Sequence, residues 1–102
     1  MKEIKAIIQP FMLDNVLDAL HKIGGLPGVA VSEARAVNMQ PGRYEQIVKV
    51  KLEIMVSEEQ VETVVEAIRS AAHTGKTGDG RIFVIPVEAT VNIRTGEREN
   101  SG

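Results

Sequence analysis

The sequence predicts a single α+β domain whose elements alternate as βαββαβ. Three observations predict it. A period-two apolar row runs from Val48 to Val56, and two runs of apolar residues recur at helical spacing. The length of 102 residues is enough for one core and too short for two of useful size.

Each element follows in order. Ile4, Ala6 and Ile8 share one face of a first strand, with Ile7 on the other, and Gln9-Pro10 closes it. Leu13, Val16, Leu17, Leu20 and Ile23 then recur as the apolar stripe of an amphipathic helix, which Gly24-Gly25 ends. After the Leu26-Pro27-Gly28 turn, Val29, Val31 and Val37 mark a second strand whose other face carries Ala30, Ser32, Ala34 and Ala36. Residues 38–44, NMQPGRY, hold a Pro-Gly pair and little apolar content, so they read as an exposed connection. The alternating row of Val48, Val50, Leu52, Ile54 and Val56 is the third strand.

Ser57 and Gln60 have the spacing of a capping box, and Val61, Val64, Val65, Ile68 and Ala72 continue as a second helix with its glutamates on the wet side. The glycines of residues 73–80, HTGKTGDG, exclude regular structure there, and residues 81–85 form a fourth strand that Pro86 interrupts. Val87, Ala89, Val91 and Ile93 face one way along a short additional strand, and the polar tail GERENSG is expected to fray. Two βαβ halves in tandem, with right-handed crossovers, give the ferredoxin-like plan. Two helices cover only one face of such a sheet, so the apolar residues on the other face call for a homo-oligomer.

Composition excludes several functions. Fourteen acidic and twelve basic residues give a net charge of −2, which draws the chain to neither nucleic acid nor an anionic membrane. Aromatics are 3% of residues, too few for the stacking platforms of single-strand readers. With no cysteine there is no disulfide framework, thiolate nucleophile or cysteine-rich zinc site, which suits a reducing, cytoplasmic setting. The opening MKEIKAIIQPF meets a proline after a few apolar residues, so neither a signal peptide nor membrane insertion is expected. His21 and His73 have no ligand partners at suitable spacing, and no metal is expected.

Residues 74–81, TGKTGDGR, contain what an anion cradle needs. Gly75, Gly78 and Gly80 let backbone N–H groups converge, and Lys76 and Arg81 add charge. The segment lacks the spacing of a P-loop and follows a helix, which excludes that motif; a plain glycine-rich turn has the same composition. Arg94 is a second cationic element, whose plain alternative is a solvated edge arginine.

Residues 4–13 (IKAIIQPFML), 74–84 (TGKTGDGRIFV) and 93–97 (IRTGE) resemble the PII signalling family, in sequence and in order. The resemblance implies one domain over residues 1–102, with a shortened T-loop at 38–46, a B-loop at 73–81, a C-loop at 92–97 and a flexible tail at 98–102. It implies a homotrimer holding an adenine nucleotide (ATP, ADP or AMP) as regulatory ligand where the B-loop of one subunit meets the C-loop of the next. Gly78, Asp79, Gly80 and Arg81 would then contact the phosphates from one side and Arg94 from the other. Ile7 and Met55 would line the base, and Gln40 keeps a family position used with magnesium. Lys49 matches a position used for 2-oxoglutarate.

The departures are Asn92 where a second C-loop arginine is usual, Met39 where the T-loop usually has a cation, and the loss of most of that loop. The loss of most of that loop argues against oxoglutarate sensing, and the missing C-loop arginine argues for fewer phosphates held. The expected function is non-enzymatic regulation of a partner protein such as a membrane transporter or a metabolic enzyme. Two alternatives are a structural trimer that has lost nucleotide binding and a small phosphoryl-transfer enzyme using His73 or Asp79.

Overall fold

The computed structural model describes residues 1–100. Strand β1, Lys2–Ile8, buries every second residue, Ile4, Ala6 and Ile8, as its alternation requires. Pro10 opens a 3₁₀ turn over Pro10–Met12, where its missing N–H costs nothing, and the chain runs on into helix α1, Leu13–His21. The helix stops short of the expected Ile23, whose N–H closes a turn onto the carbonyl of Leu20 at 3.0 Å. Strand β2 spans Ala30–Val37 and β3 spans Gln46–Val56, longer than the apolar row alone suggests because the ladder with β2 carries its polar start.

At the next turn the Gln60 carboxamide accepts the Ser57 N–H at 3.2 Å and donates to the Gly24 carbonyl at 3.3 Å, tying the start of the second helix to the turn after α1. A 3₁₀ turn over Glu58–Gln60 precedes helix α2, Val61–Ala72. Strand β4, Gly80–Pro86, follows the glycine-rich loop.

The sheet is antiparallel with the order β2-β3-β1-β4, the ferredoxin-like arrangement expected. Both helices lie on one face. Val16 and Leu20 from α1 and Val61, Val64, Ile68 and Ala72 from α2 close the core against β1 and β3, and no polar side chain is buried among the described residues. Replacing Ile68, fully buried here, by alanine would cost roughly 2–5 kcal/mol. By register the opposite face carries Ile7, Met55, Phe83 and Ile85 among Lys5, Lys51, Glu53 and Arg81, with no helix over it.

Two expectations are corrected at the C-terminus. Of the extended row from Val87 to Ile93 only Ala89–Val91 forms a strand, β5, since Asn92 leads into a turn. Residues Arg98–Asn100 of the expected frayed tail form strand β6, paired with β5 as a separate two-stranded sheet. Residues 101 and 102 of that tail lie outside the described residues. Among the described residues, no helix is long and apolar enough to cross a membrane.

Candidate functional site

The glycine-rich loop between α2 and β4 is organised by one side chain. One Asp79 carboxylate oxygen accepts the backbone N–H groups of Thr74 and Gly75 at 2.8 and 2.9 Å, and the other accepts the Thr74 hydroxyl. The Thr74 hydroxyl oxygen in turn accepts the Lys76 N–H at 3.3 Å. These donors, the Thr74 hydroxyl foremost, hold the Asp79 carboxyl below the ordinary aspartate range, with a smaller contribution from His73. Both carboxylate oxygens are thus engaged within the loop, which weakens any assignment of Asp79 as a general base.

The loop then enters β4 where Gly80 passes close against the β1 backbone. A Cβ at Gly80 would stand 1.8 Å from the carbonyl oxygen of Ile7, and φ there is +114°. Glycine is required on both counts. Gly78, at φ +93°, lies where a Cβ would meet the Gln9 amide nitrogen at 3.4 Å. Its carbonyl accepts a hydrogen bond from Lys49 Nζ at 2.8 Å.

A cleft of about 440 Å³ opens beside this loop. Val65, Ile68 and Ala72 of α2 and Ile82 of β4 form its apolar walls, while Arg69, His73 and Arg81 bring charge or potential charge. Ile7, Asp79 and Gly80 also line it, so the structure brings together Ile7, Gly78, Asp79, Gly80 and Arg81 of the residues expected at the site.

It does not bring the others there. Met55 pairs with Glu3 whereas Ile7 pairs with Lys51, so the two lie four residues, about 13 Å, apart along the sheet. Met55 lines a second cleft of about 710 Å³, together with Gly25, Pro27, Thr90 and Glu99. Arg94 sits in the turn between β5 and β6. The Asn92 side-chain oxygen accepts the N–H groups of Arg94 and Thr95 at 2.9 and 3.2 Å, and the Asn92 carbonyl accepts that of Gly96 at 2.7 Å. Asn92 therefore braces the turn that presents Arg94.

Gln40 lies at the tip of the β2–β3 hairpin. There Gln40-Pro41-Gly42-Arg43 makes a tight turn, with Gly42 at φ +75° and the Arg43 N–H 3.2 Å from the Gln40 carbonyl. The loop with Ile7 and Arg81 is at one end of the sheet, and Met55 is at the other.

The sequence profile of the nitrogen regulatory protein P-II family matches residues 1–97. The chain belongs to this family. A nitrogen regulatory protein P-II of Azospirillum brasilense is 47% identical over 108 aligned positions, covering 96% of each chain, and one of Rhodospirillum rubrum is 46% identical over the same share. Because this chain has 102 residues, a 108-position alignment includes places where only the P-II relative has residues. Among solved structures, Arabidopsis thaliana PII bound to citrate superposes with a TM-score of 0.82 at 42% identity, over 96% of this chain and 84% of that one. The P-II fold and the regulatory character of the family are therefore shared by this chain.

Sequence reasoning left Lys49 and Gln9 out of the nucleotide set, although both abut Gly78. Their proximity arises from strand register and from a loop 29 residues away from Lys49, which no local pattern encodes. Arg69 was missed too, since on α2 it reads only as a wet-face residue.

Proposed function

We propose that this protein is a P-II regulator that binds an adenine nucleotide between subunits of a homotrimer and signals its occupancy to a partner protein, a transporter or a metabolic enzyme. The observation that carries the reading is the braced loop beside Arg81. With its first three amides engaged internally, an anion would be held by the amides that follow and by the guanidinium. That arrangement is built before any ligand arrives, which lowers the ordering cost of binding.

The separation of Ile7 from Met55 supports a site shared between two chains, since one chain cannot put both against one base. Arg94, braced by Asn92, would close on the phosphates from the neighbouring subunit. Capture of citrate by the Arabidopsis relative supports anion recognition as a property of this fold. Arg81 presents a planar fork of donors suited to phosphate oxygens. Gln40, at the hairpin tip, would contribute only if the nucleotide reaches that turn.

The reading is tested by thermal unfolding with ATP, ADP, AMP and citrate. A nucleotide at about 100 times its Kd stabilises the folded state by roughly 2.7 kcal/mol, and Arg81→Ala should abolish that shift while leaving the unliganded transition in place. Identical melting curves with and without all three nucleotides would favour a structural assembly that binds none. Nucleotide recovered unchanged after hours of incubation is the expected outcome; steady turnover would support an enzyme instead.

A further inference from the structure

We infer that Lys49 is a positioning residue of the proposed anion site: its ammonium fixes the Gly78–Asp79 peptide so that the Asp79 N–H faces the ligand. This role rests on the nucleotide reading above and adds to it a residue that itself touches no ligand.

The amides of the loop divide into two groups. Those of Thr74, Gly75 and Lys76 are taken up inside it, by the Asp79 carboxylate and the Thr74 hydroxyl. Those of Thr77, Gly78 and Asp79 meet no protein acceptor among the described residues. Successive backbone donors left over on a glycine-rich turn are what an anion can take. Their direction then decides the site.

That direction is not set by the backbone alone. Gly78 at φ +93° and Gly80 at φ +114° flank Asp79, and residues without a Cβ let a neighbouring peptide turn over at small cost. Lys49 removes the choice. Its Nζ donates to the Gly78 carbonyl at 2.8 Å, and a trans peptide points its N–H opposite to its C=O. The Asp79 N–H is therefore turned away from the lysine. A cation at the carbonyl end also polarises the peptide, which makes the N–H at the other end a stronger donor. Gln9 narrows the space further, since its Nε2 lies 3.4 Å from where a Cβ on Gly78 would stand.

The lysine has no competing task. Lys51, next on the same face of β3, lies 3.7 Å from the Glu53 carboxylate, whereas Lys49 forms no ion pair among the described residues. Its hydrogen bond goes to the loop. The base that carries it is firm: Val50, its neighbour in β3, is buried in the core, and Lys49 stands opposite Ala34 in the ladder with β2. One ammonium thus registers a loop 29 residues away against the sheet.

Lys49→Met keeps the stem and removes the donors. It should bind ADP about tenfold more weakly than the native chain by calorimetry, with the unliganded thermal transition in place. Lys49→Arg, which restores a donor, should recover most of that loss. The decisive readout is the Asp79 amide proton followed by NMR. At saturating ADP it should move strongly downfield in the native protein and markedly less in Lys49→Met. A Lys49 that only staples the loop would lower the melting temperature of the free variant and leave the saturated Asp79 shift native. One that grips the phosphate itself would cost affinity and also leave that shift native. Either result overturns the positioning role while the nucleotide reading stands. A native chain whose loop amides do not respond to ADP overturns both.

Discussion

Asp79 reads from the sequence as a polar contact for a ligand, yet its carboxylate accepts the Thr74 and Gly75 amides and the Thr74 hydroxyl within its own loop. Its folded pKa lies below the ordinary value of 3.8, so the interaction is fully present above that value and is lost as pH falls through the lower, folded one. The loop should therefore keep its shape throughout the neutral range and loosen only below about pH 3.8. Amide chemical shifts of Thr74 and Gly75 followed by NMR should titrate together in that acid window and stay flat in Asp79→Asn; a midpoint near neutrality would contradict the assignment. Which glycine is indispensable was not legible either. Residues 73–80 contain three, and only the fold brings the Ile7 carbonyl within 1.8 Å of where a Cβ on Gly80 would stand. Lys49 was legible as a residue of the open sheet face by alternation, but its bond to the Gly78 carbonyl depends on a loop far along the chain.

Among the elements, the β2–β3 connection departs furthest from a mobile arm. The Asn38 N–H donates to the Glu45 carbonyl at 2.9 Å, and the Arg43 side chain pairs with Glu45 at 2.6 Å, so the ladder continues to a closed turn. Gly42 makes that turn possible at φ +75°, in a position that favours glycine in a type II turn. Gly42→Val should strain the turn and speed hydrogen exchange at the Asn38 and Arg43 amides at least several-fold, with helix amides unaffected; equal protection in both proteins would mean that the hairpin does not depend on this turn. Such a hairpin presents Met39 and Tyr44, both exposed, on a hydrogen-bonded frame. The strong period of β3 and the stripes of both helices made the main sheet and its helix layer readable, because burial on one face writes itself into alternation. Strand β6 left no such trace. Arg98, Glu99 and Asn100 are all exposed, and their pairing with β5 depends on the turn braced by Asn92.

For the whole molecule, the placement of Ile7 and Met55 at opposite ends of one sheet is the feature on which the proposed shared site rests. A sheet with helices on one face only leaves Phe83 and its neighbours on the other to be covered by something. Sequence reasoning anticipated that need from the count of helices, and it placed Ile7 and Met55 against one base. The register separates them by four residues, and the proposed site would take each from a different copy. The central claim is that Arg81 and Arg94 reach one nucleotide from different subunits. Calorimetric titration of Arg81→Ala, of Arg94→Ala and of the two co-refolded in equal amounts tests it most directly. Each variant alone should bind ADP or ATP far more weakly than the native protein, whereas the mixture should regain native-affinity binding at about one site in four, the share of junctions that combine an intact Arg81 with an intact Arg94. A mixture that binds no better than its two components would contradict it.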